Sequence, residues 1–281
     1  MKVPILTYHS NNISGNDYAT NNHVALAEDL RVIAGSGFRI VQLAQVVDAL
    51  LGATPPASVE HAIALTFDDG SYFDWYDMAH PSCGIQRGFA GILRDFAMAS
   101  GQAAHATSFV IVSPDARAEL DVTCMVGRDW WRDDWWREAA LEGLVAIENH
   151  SWDHNHATLS RTVQRTQNKG TFKSIDTFAD ADAEIRAATD WLDAHLSPWR
   201  STLFAYPYGE WNDYLVHDYL PRHRSEHRLR AAFTGDPHPV ETSSDRWRLP
   251  RYVCGHHWKT PGDLERLLRE LHTDRSPLRR F

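Results

Sequence analysis

Short apolar runs alternate with segments of helical periodicity along most of the 281-residue chain. The first run, VPILTY at residues 3–8, has the length and composition of a buried strand, and residues 26–35 then carry apolar side chains at helical spacing. The same alternation predicts strands at residues 3–8, 39–43, 62–67, 106–112, 144–149, 203–206, 231–234 and 247–253, and helices at residues 26–35, 44–51, 87–100, 134–142, 177–196 and 261–271. Strands that alternate with helices in this way predict parallel βαβ units.

The number of these units favours a single (β/α) barrel, distorted and of seven or eight strands, that covers residues 1–281. The alternative is an open doubly wound sheet, but the GxGxxG sequence that usually follows its first strand is absent. No internal repeat and no linker rich in Gly, Ser or Pro marks a second domain. Two long segments, residues 71–103 and 113–133, carry several tryptophans, and we expect them to lie as long loops over the C-terminal face of the barrel.

Composition and charge exclude several classes of protein. With 43% hydrophobic residues the chain can bury a core, which excludes a disordered protein. Its 28 basic and 37 acidic residues give a net charge of −9, which argues against a nucleic-acid partner because such binding depends on clustered Lys and Arg. No apolar stretch approaches the roughly 20 residues that span a bilayer. No signal peptide is recognisable, so we expect a cytoplasmic protein, or a secreted one if a leader has been removed. The three cysteines include no CxxC pair and are expected to be free thiols.

The third predicted strand ends in two adjacent carboxylates and a glycine, Asp68-Asp69-Gly70. Successive side chains of a strand point to opposite faces, but at the strand end the pleat relaxes and both carboxylates can reach one site. Two carboxylates this close repel each other unless a cation or hydrogen bonds compensate. The sequence is consistent with two interpretations, a helix N-cap with a solvated turn or a site that uses both acids.

The fifth predicted strand leads into a histidine-rich sequence, HSWDH at residues 150–154. If this segment turns helically, His150 and His154 share one face and can hold one metal ion. His156 places a third imidazole nearby. The chain has 16 histidines, so a polar loop that is merely rich in histidine is the alternative interpretation.

Two other predicted strand ends carry candidate site residues. The sequence Tyr206-Pro207-Tyr208 forms a stiff turn that can present backbone groups and aromatic rings to a ligand, although a turn without a ligand has the same composition. The first strand ends near His9, and a lone histidine at such a position is more often a structural hydrogen-bonding group. In a barrel, however, all these segments emerge on the same face, where active sites are built.

Together these motifs resemble those of a known family. TFDDG at residues 66–70, HSWDH at residues 150–154 and FAYPYG at residues 204–209 are similar, in this order, to the motifs of the polysaccharide deacetylases, the metal-dependent N-deacetylases of carbohydrate esterase family 4. The resemblance spans nearly the whole chain, from YHS at residues 8–10 to LPR at residues 249–251. It implies that the metal ligands are Asp69, His150 and His154, that the catalytic base is Asp68, and that the oxyanion and substrate meet Tyr208, Pro207 and Tyr206, with the backbone N–H of Tyr208 on the oxyanion.

The implied roles agree with the chemistry of these side chains. One carboxylate and two imidazoles leave a divalent ion with open positions for water and for an amide oxygen. Asp68, beside the ion but not bound to it, can take the proton of the attacking water. Zinc is the ion expected for this ligand set, and cobalt or nickel would bind similarly.

The chain departs from the family pattern in two respects. In the third motif, many members carry an arginine that steadies the catalytic aspartate at the position where this chain has Ala205. The similarity of residues 249–251 to the family's Leu-Pro-Arg segment implies that Arg251 supplies the cation instead. The general acid usually comes from a late motif of the Leu-x-x-His type, and the C-terminus contains no convincing one. The chain resembles a circularly permuted subgroup with a Tyr-His element in the first strand, which implies that His9 protonates the leaving amine, with His256 and His257 as alternatives.

Three functions are compatible with these observations. The first is hydrolysis of the N-acetyl group of an amino sugar, such as N-acetylglucosamine in an oligo- or polysaccharide. The second keeps the barrel and the metal but acts on a small cyclic amide, a ureide or another non-sugar amide, because the two long segments can close the site against polymers. The third is a non-catalytic carbohydrate-binding protein, which the complete set of acids and histidines disfavours. The expected partner is therefore a glycan or a small molecule, and the sequence does not indicate an oligomeric state.

Overall fold

A curled sheet of parallel strands lies at the centre of the computed structural model, which describes residues 1–273. The strands are β1 (Lys2–Val3), β2 (Ile5–His9), β3 (Arg39–Ile40), β4 (Ala62–Asp69), β5 (Met78–His80), β6 (Gly84–Gln86), β7 (Ala106–Val110), β8 (Val145–Asn149), β9 (Leu203–Ala205), β10 (Ala231–Phe233), β11 (Val240–Glu241) and β12 (Tyr252–Val253). In the described part of the chain the main sheet has eight strands, in the order β10-β9-β8-β7-β4-β2-β12 with β3 paired to the start of β4. Neighbouring strands of this sheet run parallel.

The sheet closes through the segment that leads into β12. The N–H of Leu249 donates to the carbonyl of Ala232 at 2.8 Å, and the carbonyl of Leu249 accepts from the N–H of Thr234 at 2.8 Å, so this segment first runs beside β10. A few residues later, β12 pairs in parallel with β2 at the opposite end of the strand order. The chain therefore connects the two ends of the sheet, and the predicted (β/α) barrel of seven or eight strands is confirmed.

Prolines divide two of the predicted strands because proline has no N–H to donate to a neighbouring strand. The predicted strand at residues 3–8 is split at Pro4 into β1, which pairs antiparallel with β11, and β2. The predicted strand at residues 247–253 passes from β10 to β2 around Pro250 and is regular only as β12. The remaining predicted strands are present, with ends shifted by a few residues.

Helices pack around the sheet. They are α1 (Asn22–Gly35), α2 (Leu43–Leu50), α3 (Phe89–Ser100), α4 (Pro114–Cys124), α5 (Trp136–Glu142), α6 (Phe178–Ala181), α7 (Ala187–His195), α8 (Leu220–Arg222), α9 (Arg224–His227) and α10 (Pro261–Thr273). The long helix predicted at residues 177–196 is α6 and α7 joined by a π-helical turn, Asp182–Arg186. Among the described residues, none of the helices combines the length and the apolar character that crossing a membrane requires.

The two segments expected to form long loops contain regular structure. Residues 71–103 include the antiparallel hairpin of β5 and β6 and then α3. Residues 113–133 begin with α4, whose first turn is stabilised because the Ser113 hydroxyl accepts the N–H of Ala116 at 3.2 Å and because Pro114 needs no hydrogen-bond partner there. The helix predicted at residues 87–100 is present as α3, whereas the hairpin and α4 were not predicted, so these segments are not loops throughout. The expected free thiols are observed, since Cys83, Cys124 and Cys254 form no disulfide.

Alternate residues of the strands form two separate apolar layers. In β4, Ala62 and Ala64 pack with apolar residues of the other strands inside the barrel, whereas Leu65 and Phe67 pack between the sheet and the helices. Successive strand side chains point to opposite faces, so Asp68 belongs to the inward-facing set. The inner face of β4 therefore ends with a carboxylate at the C-terminal mouth of the barrel.

Candidate metal centre and catalytic cavity

A cavity of about 500 Å³ opens at the C-terminal ends of the parallel strands. Its lining includes the predicted site residues His9, Asp68, Asp69, His150, His154, Tyr208 and Arg251. A second cavity, of about 690 Å³, lies between α1, α3 and the β5–β6 hairpin, and its described lining contains none of these residues. These seven residues therefore meet in one place, at the mouth of the barrel.

Asp68 and Asp69 reach the same cavity because the backbone turns at the end of β4. Strict alternation would point Asp69 away from the barrel interior. Asp69 and Gly70 both have a φ of +79°, a left-handed conformation that redirects the chain. The carbonyl of Asp69 is held by the indole N–H of Trp131 at 3.0 Å and by the N–H of Ile111 at 3.2 Å. Neighbouring elements thus fix a backbone conformation that is unusual for an aspartate.

Asp69, His150 and His154 form a group of three potential metal ligands. Oδ1 of Asp69 lies 3.7 Å from Nε2 of His150 and 3.8 Å from Nε2 of His154. All three ligand atoms lie within 4.8 Å of one another. A tetrahedral zinc ion with bonds of about 2.0–2.1 Å separates its ligand atoms by about 3.4 Å, so the observed spacing fits one ion at the centre of the group.

Both histidines of the group are neutral, and His150 presents an unprotonated nitrogen to it. Nδ1 of His150 lies 2.8 Å from the carbonyl of Ala205, so it carries the proton and leaves a lone pair on Nε2. Burial lowers the pKa of His150, and it lowers the pKa of His154 well below the usual range, so both imidazoles are neutral. Neutral imidazoles are the form that binds a metal. The donor chemistry of this trio therefore fits a divalent ion.

The spacing of the two histidines predicts a helical turn, but the structure brings them together without one. Residues 150–154 form an irregular turn in which Ser151 and His154 have φ values of +70° and +64°. The turn is fixed because the Asn149 side chain accepts the N–H of Ser151 at 2.7 Å and the Ser151 hydroxyl accepts the N–H of His154 at 2.9 Å. The imidazole rings lie 4.9 Å apart between centroids. The two residues converge as predicted, but by a different local conformation.

Asp68 is bound by Arg251 through two parallel hydrogen bonds. Nη1 donates to Oδ1 at 2.7 Å and Nη2 donates to Oδ2 at 2.8 Å, and both side chains are buried. Arg251 also donates to the carbonyl of Thr234 at 3.1 Å, which orients the guanidinium. Burial by itself raises the pKa of Asp68, but the charge and the hydrogen bonds of Arg251 outweigh it and lower that pKa to about 2. Asp68 is therefore ionised at neutral pH and held in a fixed orientation.

His9 lies at the end of β2, directly beside Asp68 in the parallel register of β2 and β4. Its backbone N–H donates to Oδ1 of Asn22 at 3.0 Å, and its Nδ1 is buried without a hydrogen-bond partner among the described residues. The alternatives, His256 and His257, also line the cavity. Nδ1 of His257 accepts the N–H of Val253 at 2.7 Å, so one of its two nitrogens is already used by the backbone.

The third motif contributes Tyr208 to the cavity and places Tyr206 beneath it. Tyr208 has a φ of +60°, and its half-exposed ring packs edge-on against His154 at a centroid distance of 4.4 Å. Tyr206 is fully buried, and its hydroxyl donates to the carbonyl of Trp247 at 2.7 Å. Pro207 is also buried, and neither Pro207 nor Tyr206 belongs to the described lining of the cavity. Of this motif, Tyr208 and Gly209 line the cavity and can touch a substrate there.

Two polar residues at the site were not identified from the sequence. Asn11 lines the cavity and donates from Nδ2 to Oδ2 of Asp69 at 3.2 Å. Asp74 is fully buried and accepts hydrogen bonds from the hydroxyls of Ser10 and Ser108, the latter at 2.6 Å. Burial raises the pKa of Asp74 to about 7, and the nearby charge of Asp69 adds to this effect. Neither residue belongs to a periodic pattern or a motif, so the sequence contains no signal for them beyond their proximity to His9 and to the acid pair.

Comparisons with known proteins agree with this architecture. The family model described as polysaccharide deacetylase matches residues 57–220 of the chain. No curated protein sequence matches it. The fold is similar to that of the deacetylase PplD from Streptococcus pyogenes, solved in complex with acetate, with a TM-score of 0.63, 18% identity and coverage of 95% of this chain and 98% of the other. It is also similar to that of IcaB from Ammonifex degensii, with a TM-score of 0.60, 18% identity and coverage of 95% and 96%. The polysaccharide deacetylase BC0361 from Bacillus cereus gives a TM-score of 0.61 at 15% identity, with coverage of 95% of this chain and 69% of the other.

Proposed function

This chain belongs to the polysaccharide deacetylase family, and we propose that it is a divalent-metal-dependent hydrolase that removes the N-acetyl group from an amino sugar, such as N-acetylglucosamine in an oligo- or polysaccharide. The observation that carries this proposal is the position of the ionised Asp68 beside the trio of Asp69, His150 and His154 in one cavity. That arrangement combines a proton acceptor and an ion site where a single amide group can reach both.

The three potential ligands would hold a divalent ion, with zinc as the first candidate and cobalt or nickel as alternatives. When bound, such an ion supplies Lewis acidity, which lowers the pKa of water and polarises the acetyl carbonyl. The protein keeps both imidazoles neutral by burial and keeps Nε2 of His150 free through the hydrogen bond from Nδ1 to Ala205. These features prepare the ligand atoms before an ion arrives.

Asp68 accepts the proton of the attacking water, and His9 donates a proton to the leaving amine. Water adds to the carbonyl carbon of the acetyl group and gives a proton to Asp68, which Arg251 keeps ionised and aligned. The bond between carbon and nitrogen then breaks, and His9 donates a proton to the amine nitrogen so that acetate and a free amine leave. The backbone N–H of Tyr208 donates a hydrogen bond to the oxyanion that forms between these steps.

The decisive experiment measures acetate released from N-acetylated chitooligosaccharides by the purified, metal-loaded protein. We expect acetate release that a chelator abolishes and that Asp68→Asn lowers by at least about 100-fold, the range in which general acid–base catalysis contributes. The variant should retain its metal, and Asp213→Asn, at an aspartate whose side chain is 89% exposed, serves as the matched control. Absence of acetate release from the metal-loaded wild-type protein, or near wild-type turnover by Asp68→Asn, would overturn the proposal.

A second candidate substrate class is a small cyclic amide or ureide. The volume of the cavity, about 500 Å³, lies in the range of small-molecule sites, and Trp131 from the segment after α4 forms part of its wall. The same assay distinguishes the two classes when small cyclic amides are tested beside the oligosaccharides. Ring opening of a cyclic amide without acetate release from the oligosaccharides would favour this second class.

A further inference from the structure

We propose that Asn11 is a positioning residue for Asp69, whose side-chain amide holds one carboxylate oxygen of Asp69 so that the other faces the two imidazoles. This inference rests on the proposed metal site. The two oxygens of Asp69 have different environments: Oδ1 lies 3.7 Å and 3.8 Å from the imidazole nitrogens, whereas Oδ2 accepts the N–H of Asn11 at 3.2 Å. Asn11 therefore contacts the oxygen that the imidazoles do not.

The backbone that carries Asn11 is fixed by several hydrogen bonds. The carbonyl of His9 accepts the N–H of Asn12 at 3.0 Å, and the carbonyl of Asn11 itself accepts the N–H of Ile13 at 2.9 Å. The carbonyl of Asn12 in turn accepts the N–H of Asn22, the first residue of α1, at 3.0 Å. The amide group therefore extends from a rigid turn between β2 and α1, and a rigid support is what a residue needs to orient another side chain.

The orientation of the amide follows from its partner. Rotation of the side-chain amide by 180° would place its oxygen against the carboxylate, so Nδ2 has to face Asp69. In this orientation Oδ1 of Asn11 is buried and accepts no hydrogen bond from the described residues. Among the described residues, the side-chain amide of Asn11 therefore forms its hydrogen bond to Asp69, through Nδ2.

The expected role is to keep Asp69 as a ligand through one oxygen. Hydrogen bonds from neighbouring residues to metal ligands orient those ligands, and their loss typically weakens metal binding by about 10- to 100-fold. Without the amide of Asn11, Oδ2 is free to rotate towards the ion and to occupy a position that water or the substrate carbonyl requires. The backbone of Asp69 stays fixed by Trp131 and Ile111, so the change is confined to the carboxylate.

The test is Asn11→Leu, which keeps the approximate size of the side chain and removes both the donor and the unsatisfied oxygen. Zinc affinity is measured by competition with a chelator, the visible spectrum of the cobalt-substituted protein reports the coordination, and thermal unfolding without metal reports the fold. We expect zinc affinity to fall by about 10- to 100-fold. We also expect a weaker cobalt absorption, because a carboxylate that binds through both oxygens raises the coordination number, and an unchanged melting temperature of the metal-free protein.

Asn212→Leu is the matched control. The side chain of Asn212 donates to the carbonyls of Lys173 and Ile175 and accepts the N–H of Leu215, and it lies outside the described lining of the cavity. Its replacement should lower the melting temperature and leave zinc affinity unchanged, the reverse of the pattern expected for Asn11.

The possible results separate this inference from the proposed function. If the wild-type protein binds zinc and Asn11→Leu binds it equally well, the role of Asn11 is refuted while the metal site stands. If the wild-type protein binds no divalent ion, both are refuted. Should Asn11→Leu fail to fold, Asn11→Ala removes the same donor without adding the two terminal methyl groups of leucine, and the same three measurements decide the question.

Discussion

Arg251 binds both carboxylate oxygens of Asp68, at 2.7 Å and 2.8 Å, although 183 residues separate the two in the chain. The pair is buried, so neither charge has water as an alternative partner. This ion pair explains how an aspartate inside a barrel stays ionised. It also makes the proposed base dependent on a residue from the last strand connection of the sheet.

Removal of this cation should weaken both activity and stability. In Arg251→Met, burial acts on Asp68 without its main compensation, so its pKa rises and the acid limb of the pH–rate profile moves to higher pH. Breaking a buried ion pair costs about 3–5 kcal/mol of the free energy of unfolding. Steady-state kinetics across pH and urea denaturation test this, with Arg266→Met on the exposed face of α10 as the control. A variant with the wild-type profile and stability would contradict it.

The same pair should make the protein sensitive to strong acid. The pKa of Asp68 in the folded state, about 2, lies below its value of about 3.9 in an unfolded chain. The stabilisation is therefore complete above about pH 4 and is lost as the pH falls through about 2. Urea denaturation between about pH 4 and pH 2 should show this loss of stability in the wild type and a smaller loss in Arg251→Met. Equal losses in both proteins would argue against the assignment.

Replacement of either proposed histidine ligand should abolish stoichiometric metal binding. We expect His150→Ala and His154→Ala to lose bound zinc by elemental analysis, because each removes one of three ligand atoms. A ligand present at 100 times its Kd stabilises the folded state by about 2.7 kcal/mol, and both variants should lose this zinc-dependent shift. His223→Ala, at a surface histidine paired with Glu226, is the control. Unchanged metal stoichiometry in both variants would exclude this set of ligands.

Asp74→Asn should reduce the pH dependence of stability between about pH 4 and pH 7. The pKa of Asp74 is raised to about 7 in the folded state by burial, so the protonated carboxyl favours folding. This stabilisation is complete below the unfolded pKa of about 3.9 and is lost as the pH rises through 7, a change of about 4 kcal/mol at 1.4 kcal/mol per unit. Urea denaturation of the chelator-treated wild type and variant across this pH range measures the change in the free energy of unfolding. The same slope in wild type and variant would show that Asp74 does not titrate in this range.

Gly70→Ala should lower stability and zinc affinity more than Gly84→Ala, although both glycines have a similar backbone conformation. A Cβ at Gly70 would lie 2.4 Å from Cγ1 of Val110, whereas a Cβ at Gly84, which has a similar φ of +74°, would meet nothing within 4 Å. Gly84→Ala should therefore cost only the conformational strain, about 1–2 kcal/mol. Gly70→Ala should cost more and should weaken zinc binding, because the displaced backbone adjoins Asp69. Urea denaturation and zinc titration of both variants compare the two effects, and equal losses would contradict the clash.

The sequence was sufficient to predict the barrel and the place where the site residues meet. Parallel strands of a barrel end on one face, so candidates at the ends of different strands, such as His9, Asp68 and His150, had to come together there. The partner of Asp68 could not be predicted from the positions of the strand ends. Nothing in local periodicity connects Arg251 to it, and that prediction came from the resemblance to a family.

What the sequence did not predict depends on contacts between distant segments. A helical turn was expected for His150 and His154, but the local conformation is set by side chains such as Asn149 and by the carbonyl of Glu184, which accepts the N–H of Trp152 at 2.8 Å. Asn11 and Asp74 are isolated polar residues whose partners lie on other strands or loops. Spacing rules describe neighbours within an element, and they contain no information about partners that only the folded chain brings close.

The closure of the sheet determines when the site is completed during synthesis. A growing chain acquires Asp68, Asp69, His150 and His154 long before Arg251, which is made just after the residue that pairs with β10. Until that segment joins β10 to β2, the buried aspartate has no guanidinium to balance its charge. The proposed base is therefore aligned late, together with the last strand, and an incomplete chain carries the three proposed metal ligands without it.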